Sequence, residues 1–313
     1  MKIITLGTAT IDIILKTKQG ITPGSKIEID EEFISLGGGA LNAATTFKNL
    51  NLNYLAYFRL GNDLIGNLIS QKIKEEKIKA KIFYHQGSSQ FSTVVLIPQK
   101  ERTIFVYRGL SDHFQLNELN QIQKGDCYYL TTANTLPAVF QKFLEKVKKN
   151  SKLISLNPSK KFLQSPKAIN CLRLTDVLFL NYEEASEFLR IKIGPIDLIK
   201  KLEQKLNIPI LVLTLGDKGS LTLFKNKIFQ AGVFKPKKFV DTTGAGDAFA
   251  SAFFANLVLS REINEETIKK SIIWGSANAS ANIEKLGAQI GLLKKRDYAR
   301  YEKEGLVLRI WKN

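Results

Sequence analysis

Short β-branched runs alternate with helix-forming stretches along most of this 313-residue chain, and that rhythm restricts the fold more than any other feature. Lys2–Leu6 reads as a buried strand ending at Gly7. A glycine run from Gly37 then enters a helix reaching about Leu50. Tyr54–Leu60, Cys127–Leu130, Leu153–Leu156, Val177–Leu180 and Ile210–Thr214 read as further strands. Helices are expected to follow, one after Gly66 to about Lys77 and others at about 137–149, 182–189 and 196–206, with two long ones at 245–259 and 265–283. Such alternation implies an α/β fold with a mostly parallel sheet covered on both faces. Two regions break the rhythm, near 11–35 and 81–108. There Ile11–Leu15, Lys26–Ile29, Lys81–Tyr84, Phe91–Ile97 and Thr103–Tyr107 alternate like half-buried strands with no helix between them. They are expected to form a small β-sheet lid built from separated segments, so residues 1–313 read as one domain with a discontinuous lid.

The formal net charge of +17 raises the question of nucleic acid. Nine of the 46 basic residues are Arg, the Lys are spread along the chain, and aromatic residues are not interleaved with them as a stacking platform requires. No nucleic-acid role is expected, only a general attraction for anionic substrates. No apolar run approaches the ~20 residues of a membrane helix. Gly7 and Asp12 also interrupt the N-terminal segment too early for a signal peptide, so the protein is expected to be cytoplasmic and free of membrane. Cys127 and Cys171 form no CxxC and read as buried structural thiols.

Chemistry concentrates at Asp241-Thr242-Thr243-Gly244-Ala245-Gly246-Asp247-Ala248-Phe249, which runs into an apolar helix. Unpaired N–H groups and the positive end of the helix dipole emerge from a helix N-terminus. Small side chains at Gly244, Ala245 and Gly246 let an anion approach those groups, so the loop reads as a phosphate cradle. A carboxylate beside such a cradle is electrostatically awkward, which suggests that Asp247 takes a proton. The plainer reading is a Gly-rich helix start with a helix-favouring acid. A second loop, Gly37-Gly38-Gly39-Ala40-Leu41-Asn42-Ala43-Ala44, also opens a helix, and Asn42 offers both donor and acceptor to a polyol. There is no Gly-x4-Gly-Lys-Ser/Thr loop, no protein-kinase signature set and no HExxH.

DTTGAGDAF followed by an apolar helix resembles the C-terminal signature of the ribokinase-like (PfkB) carbohydrate kinases. GG-x-x-x-N-x-A at Gly38–Ala44, followed by Gly61-x-Asp63-x-x-Gly66, is similar to that family's N-terminal signature. Asn181-Tyr182-Glu183-Glu184 matches its N-x-x-E, and Thr214-Leu215-Gly216-Asp217-Lys218-Gly219 its T-x-G-x-x-G. The resemblance spans about residues 1–293 with the motifs in the expected order. It implies a ribokinase-like three-layer sandwich with a central mostly parallel sheet and a small β-sheet lid. It further implies an ATP-dependent kinase acting on a hydroxyl of a sugar or sugar-like molecule. Carried over, Asp247 is the general base and the Gly244, Ala245 and Gly246 backbone is the anion hole. Asp12, Gly38, Gly39 and Asn42 then contact the acceptor. Asn181, Thr214, Gly216, Gly219 and Asn278 bind nucleotide, and Glu184 orders Mg²⁺ through its water shell. A monovalent cation such as K⁺ at Asp241 and a homodimer through the lid are further implications.

Two positions depart from the pattern. Gly39 stands where ribokinase carries a Lys that touches the sugar, and Ala133-Asn134-Thr135 appears where many sugar-specific members have a Glu. Both weaken a specific expectation of ribose. A nucleoside kinase of the same superfamily is the alternative, with Phe33, Phe91, Phe105 and Tyr107 as candidate base-stacking residues. Arg108 is a further candidate for the acceptor, whereas His85 and His113 read as bystanders. A catalytically idle ligand sensor would not need Asp247, Glu184 and an intact GAGD loop, and an RNA-binding protein on this scaffold would show clustered Arg.

Overall fold

The computed structural model describes residues 1–97, 102–110, 113–132 and 135–312. The first strands and helices are β1 (Lys2–Leu6), β2 (Thr10–Lys16), β3 (Glu31–Gly37), α1 (Gly39–Asn49), β4 (Asn53–Gly61) and α2 (Leu64–Glu75). Next come β5 (Ala80–His85), β6 (Phe91–Leu96), β7 (Arg102–Tyr107), α3 (Leu116–Asn120), β8 (Cys127–Thr132) and α4 (Pro137–Lys148). They are followed by β9 (Leu153–Pro158), α5 (Lys160–Leu163), α6 (Ala168–Arg173), β10 (Val177–Asn181), α7 (Tyr182–Leu189) and α8 (Pro195–Leu206). The last are β11 (Ile210–Thr214), β12 (Ser220–Phe224), β13 (Lys227–Ala231), α9 (Ala245–Leu259), α10 (Glu265–Ile283), α11 (Tyr298–Glu304) and β14 (Leu308–Lys312).

Among the described residues ten strands form one sheet in the order β14-β13-β12-β11-β10-β9-β8-β1-β4-β5. The seven from β11 to β5 run parallel, and the β12–β14 edge is antiparallel. Neighbouring β1 residues face opposite layers. Ile3 joins a core with Phe47 of α1, Phe253 of α9 and Ile272 of α10, whereas Ile4 joins one with Phe140 of α4 and Leu198 of α8. Helix–sheet–helix layering follows from that alternation. Helix α9 is buried around its whole circumference, with Phe249, Phe253, Phe254, Leu257 and Val258 all inside. Each such side chain contributes roughly 1.5–3 kcal/mol of burial, so its backbone is among the least free to shift.

The second sheet is the expected lid, in the order β3-β2-β6-β7. Two expectations need correction. Lys81–Tyr84 lies in β5, which pairs in parallel with β4 at the edge of the large sheet rather than in the lid. Lys26–Ile29 is not a strand, and the partner of β2 is Glu31–Gly37. The lid is rooted on the body at Asp63, which caps α2 by accepting the Gly66 N–H at 2.8 Å. The same carboxylate accepts the Ser89 hydroxyl at 2.7 Å and its N–H at 2.9 Å, just ahead of β6. Burial pushes this carboxyl up, but the donors from Ser89 and Gly66 hold it below the ordinary value. Gly61-x-Asp63-x-x-Gly66 thus fastens the lid's root. Cys127 and Cys171 are free, buried thiols, raised by burial to about 11 and about 12.

Candidate active site

Strand order reverses between β1 and β8: β4 and β5 continue on one side, and β9, β10 and β11 on the other. In open α/β sheets ligands bind outside the carboxyl ends of the strands at such a reversal. Three things converge here. Gly7 ends β1 against Thr131 of β8, so closely that a side chain at Gly7 would overlap it. Helix α1 starts beside it, its Gly39 N–H donating to Thr8 Oγ1 at 3.1 Å. Helix α9 brings Asp247, whose Oδ1 would lie 3.3 Å from a Cβ at Gly39. A side chain at position 39 would therefore press on Asp247 and Thr131.

Gly244 supplies the left-handed conformation that starts α9, with φ 75°, and no side chain caps the helix. The N–H groups of Gly246 and Asp247 have no backbone acceptor among the described residues. A Cβ at Gly246 would meet nothing within 4 Å, so this helix end is open to an anion. The preceding loop is held by Asp241, whose Oδ1 accepts the Thr243 N–H and hydroxyl at 2.9 and 2.7 Å. Its Oδ2 accepts the Gly287 N–H at 3.0 Å.

Asp247 accepts the Asn42 amide on Oδ2 at 3.0 Å and the Asn157 amide on Oδ1 at 3.2 Å. Burial raises this carboxyl above its ordinary value, and the two amides pull it back. Asn42, expected to contact the acceptor, donates its amide to Asp247 in this structure. Asn157, at the end of β9, escaped sequence reasoning because Asn157-Pro158 reads there only as a strand terminus. Asp12 lies on β2 of the lid with its Oδ1 accepting the Ser92 hydroxyl. Burial raises it too, against the pull of the Ser92 hydroxyl. Ser35, its neighbour in the strand register, has its Oγ 2.9 Å from where a Cβ at Gly287 would lie, and the Gly287 N–H donates to Asp241, so this part of the lid faces the loop before α9. Strand register sets Ser35, Asp12 and Ser92 in one row across β3, β2 and β6. Ser35 Oγ is buried without a partner among the described residues. Gly38, at φ 98°, brings its backbone so close to Thr8 that a Cβ would lie 2.6 Å from that carbonyl.

On the other side, Asn181 and Thr214 stand side by side at the ends of β10 and β11. Asn181 and Glu184 cap α7 reciprocally: the Glu184 N–H donates to Asn181 Oδ1 at 2.8 Å, and the Asn181 N–H to Glu184 Oε2 at 2.9 Å. Burial raises the Glu184 carboxyl, and the Asp247 charge adds to it. Gly216 and Gly219 both have positive φ, 63° and 90°, and shape the turn after β11. Gly216 is open, whereas a Cβ at Gly219 would strike the Ala231 carbonyl. Asn278 does not join the site. It is wholly buried, donates to the Ala248 carbonyl at 2.8 Å and accepts the Leu293 N–H at 2.9 Å. In this structure it braces α9 against the segment at Leu293. Arg108 is exposed and His85 is bonded to Glu118 at 2.6 Å, while Ala133 and Asn134 lie outside the described residues.

Residues 1–295 match the pfkB family carbohydrate kinase, and the chain belongs to that family. It is similar to a nucleoside kinase of Methanocaldococcus jannaschii, 25% identical, with 93% of each chain covered. It is also similar to a ribokinase of Staphylococcus aureus, 24% identical over 93% of this chain and 96% of the relative. The structure of Arabidopsis thaliana ribokinase complexed with ribose and ATP superposes with a TM-score of 0.81 at 19% identity, covering 96% and 98% of the two chains. The protein is therefore a phosphotransferase with a hydroxyl acceptor, on the ribokinase fold. No helix among the described residues is long and apolar enough to cross a membrane.

Proposed function

We propose that the protein transfers the γ-phosphoryl group of ATP to a hydroxymethyl-type alcohol of a sugar or sugar-like molecule. The observation that carries this reading is the placement of Asp247 beside open N–H groups of α9, opposite Asp12 of the lid. The acceptor lies between the lid row at Asp12 and the α1 start at Gly38 and Gly39. Asp247 takes the proton of the attacking hydroxyl as the oxygen–phosphorus bond forms and the bond to the β-phosphate oxygen breaks. The helix start at Gly244, Ala245 and Gly246 faces the charge on the transferring group through the open N–H groups of Gly246 and Asp247, the Ala245 N–H being taken by the Thr242 carbonyl at 3.2 Å. Positioning and electrostatics of this kind dominate phosphoryl transfer. The nucleotide phosphates lie along Asn181, Thr214, Gly216 and Gly219.

Mg²⁺ fits the acidic character of the cleft, where the Asp12 and Glu184 carboxyls are both raised in part by the Asp247 charge. No group of three or more metal-ligating side chains occurs among the described residues, so Glu184 would hold the ion through water. There Mg²⁺ would neutralise charge on the β- and γ-phosphates. Asp241 and the buried Oδ1 of Asn282, without a partner among the described residues, are the oxygens that could hold a monovalent cation such as K⁺.

A nucleoside acceptor is the second reading, and one lid residue favours it. Register puts Phe33 on the face that carries Asp12, whereas Phe91, Phe105 and Tyr107 fall on the opposite face. Phe33 is 42% exposed and free to stack on a base. Turnover with ATP and Mg²⁺ on pentoses, hexoses and nucleosides separates the readings. Phe33→Ala should leave a sugar's KM within about twofold, yet raise a nucleoside's about tenfold or more, given 1–3 kcal/mol for a stacked base. No turnover on any hydroxyl acceptor would sink both.

The opposite lid face exposes Ile34, Phe105 and Tyr107, at 40, 57 and 49%. We infer that this face pairs with a second copy, making a homodimer through the lid. Sedimentation should show a dimer at micromolar concentration that Phe105→Glu dissociates; a strict monomer removes the claim.

A further inference from the structure

Behind Asp247 runs a chain of neutral polar side chains. Asn42 Nδ2 donates to Asp247 Oδ2 at 3.0 Å, and Gln289 Nε2 donates to Asn42 Oδ1 at 2.9 Å. Thr45 Oγ1 lies 3.1 Å from Gln289 Oε1 and 3.0 Å from the Leu41 carbonyl. Asn42, Thr45 and Gln289 are 2, 4 and 8% exposed, so the chain does not rely on bulk solvent.

The Thr45 hydroxyl has one proton and two acceptors in reach, so it serves one at a time. Its choice sets the polarity of the whole chain. Turned to Gln289, it fixes that amide to donate to Asn42, and Asn42 presents an N–H to Asp247. That arrangement favours the ionised carboxylate, which accepts on both oxygens, from Asn42 and from Asn157. Turned to Leu41, the hydroxyl oxygen can accept from Gln289 Nε2 once that amide rotates. Gln289 Oε1 then accepts from Asn42 Nδ2, and Asn42 Oδ1 faces Asp247. Only a protonated carboxyl can donate to it. Every named donor and acceptor is satisfied in both polarities, which is what a buried polar network requires.

We propose that Asn42, Gln289 and Thr45 form a reversible relay that matches the two protonation states of Asp247, with Gln289 and Thr45 as positioning residues acting through Asn42. The proposal rests on the reading of Asp247 as the base. The acceptor's proton stays on Asp247 until it leaves to solvent, and no proton passes along the chain; the amides turn. The base thereby keeps a full set of hydrogen bonds before and after it takes the proton. The titratable groups that share its field are Asp12 on β2, Glu184 on α7 and Tyr129 on β8.

The test is kcat, acceptor KM and their pH profiles for wild type, Gln289→Leu, Gln289→Glu, Thr45→Val and Thr45→Ser, with Asp247→Asn as reference and thermal midpoints alongside. Gln289→Leu should lower kcat about tenfold and leave KM within about twofold, because the chain acts on the base and not on substrate binding. Gln289→Glu accepts only when ionised, so it holds the protonated-Asp247 polarity and moves the acid limb to higher pH by about one unit or more. Thr45→Val should lower kcat in the same sense and Thr45→Ser restore it. That pair changes no charge, and it decides the matter if a Gln289 variant fails to fold. Gln289→Leu and Thr45→Val turning over within about twofold of wild type, far less than a perturbed general base shows, overturn the relay even if both melt earlier. Full activity in Asp247→Asn would instead overturn the base, so the two failures are distinguishable.

Discussion

Asp247→Asn should abolish most turnover while leaving a folded, nucleotide-binding protein. A positioned general base is worth typically ~10²–10⁴-fold, or about 3–5 kcal/mol of barrier. Asn keeps the shape at the α9 start but brings one NH₂ against an amide of Asn42 or Asn157 that now donates there. One of those amides must turn, at a stability cost of about 1 kcal/mol. ATP affinity should hold or rise slightly, since a negative charge near the phosphates is gone. In wild type, burial raises the Asp247 carboxyl, so the acid limb of kcat should lie above the ordinary carboxylate range. Below that limb the base is protonated, and the rate should fall about tenfold per pH unit. A variant turning over within about threefold of wild type, well short of a general base's contribution, would remove Asp247 from that role. Loss of stability with turnover per folded molecule preserved would mark it as a helix-start residue only.

Gly244→Ala should damage both fold and activity, for reasons separate from the chemistry. Gly244 sits at φ 75°, and its new Cβ would lie 2.6 Å from the Cβ of Ala288, itself buried. Left-handed backbone costs a non-Gly residue roughly 1–2 kcal/mol, and forcing a methyl into packed space about 1–3 more. Relief requires the loop to move off Ala288, which shifts the open N–H groups. Destabilisation of about 2–5 kcal/mol with at least a tenfold loss of kcat is expected. Gly246→Ala is the control. Its Cβ meets nothing within 4 Å, so its melting midpoint should match wild type while turnover falls if an anion sits there. Wild-type stability and turnover in Gly244→Ala would show that the αL start is not needed.

Period and punctuation made most of the body legible. Strands such as Val177–Asn181 are continuous apolar runs because both faces are covered, and glycines mark where α1 and α9 begin. Short-range pattern failed where pairing decides. Lys26–Ile29 alternates well but finds no partner, whereas Glu31–Gly37, with two leading acids, pairs along its length with β2. Lys81–Tyr84 alternates like a lid strand because β5 is the half-exposed edge of the large sheet. The open start of α9 was readable since backbone access is written into small residues. The surroundings of Asp247 were not, because Asn157 and Gln289 reach it or Asn42 across 90 and 247 positions of sequence. The bonding of Asn278 was equally hidden: both ends of its amide are taken inside the protein, which no single-residue pattern reveals.

Asp247 and the lid face opposite it are carried by parts of the molecule with unequal freedom to vary. Asp247 stands on a helix whose every side is packed, so a backbone shift there would disturb Phe47, Phe253 and Trp274 together. The lid face opposite carries Phe33, Ile104 and Val106, each more than one-third exposed. Substitutions at exposed positions usually change stability by ~0.5 kcal/mol or less. Drift can therefore reshape what the cleft accepts while the phosphoryl chemistry stays in place, and a library confined to those three lid positions is the shortest route to a new acceptor.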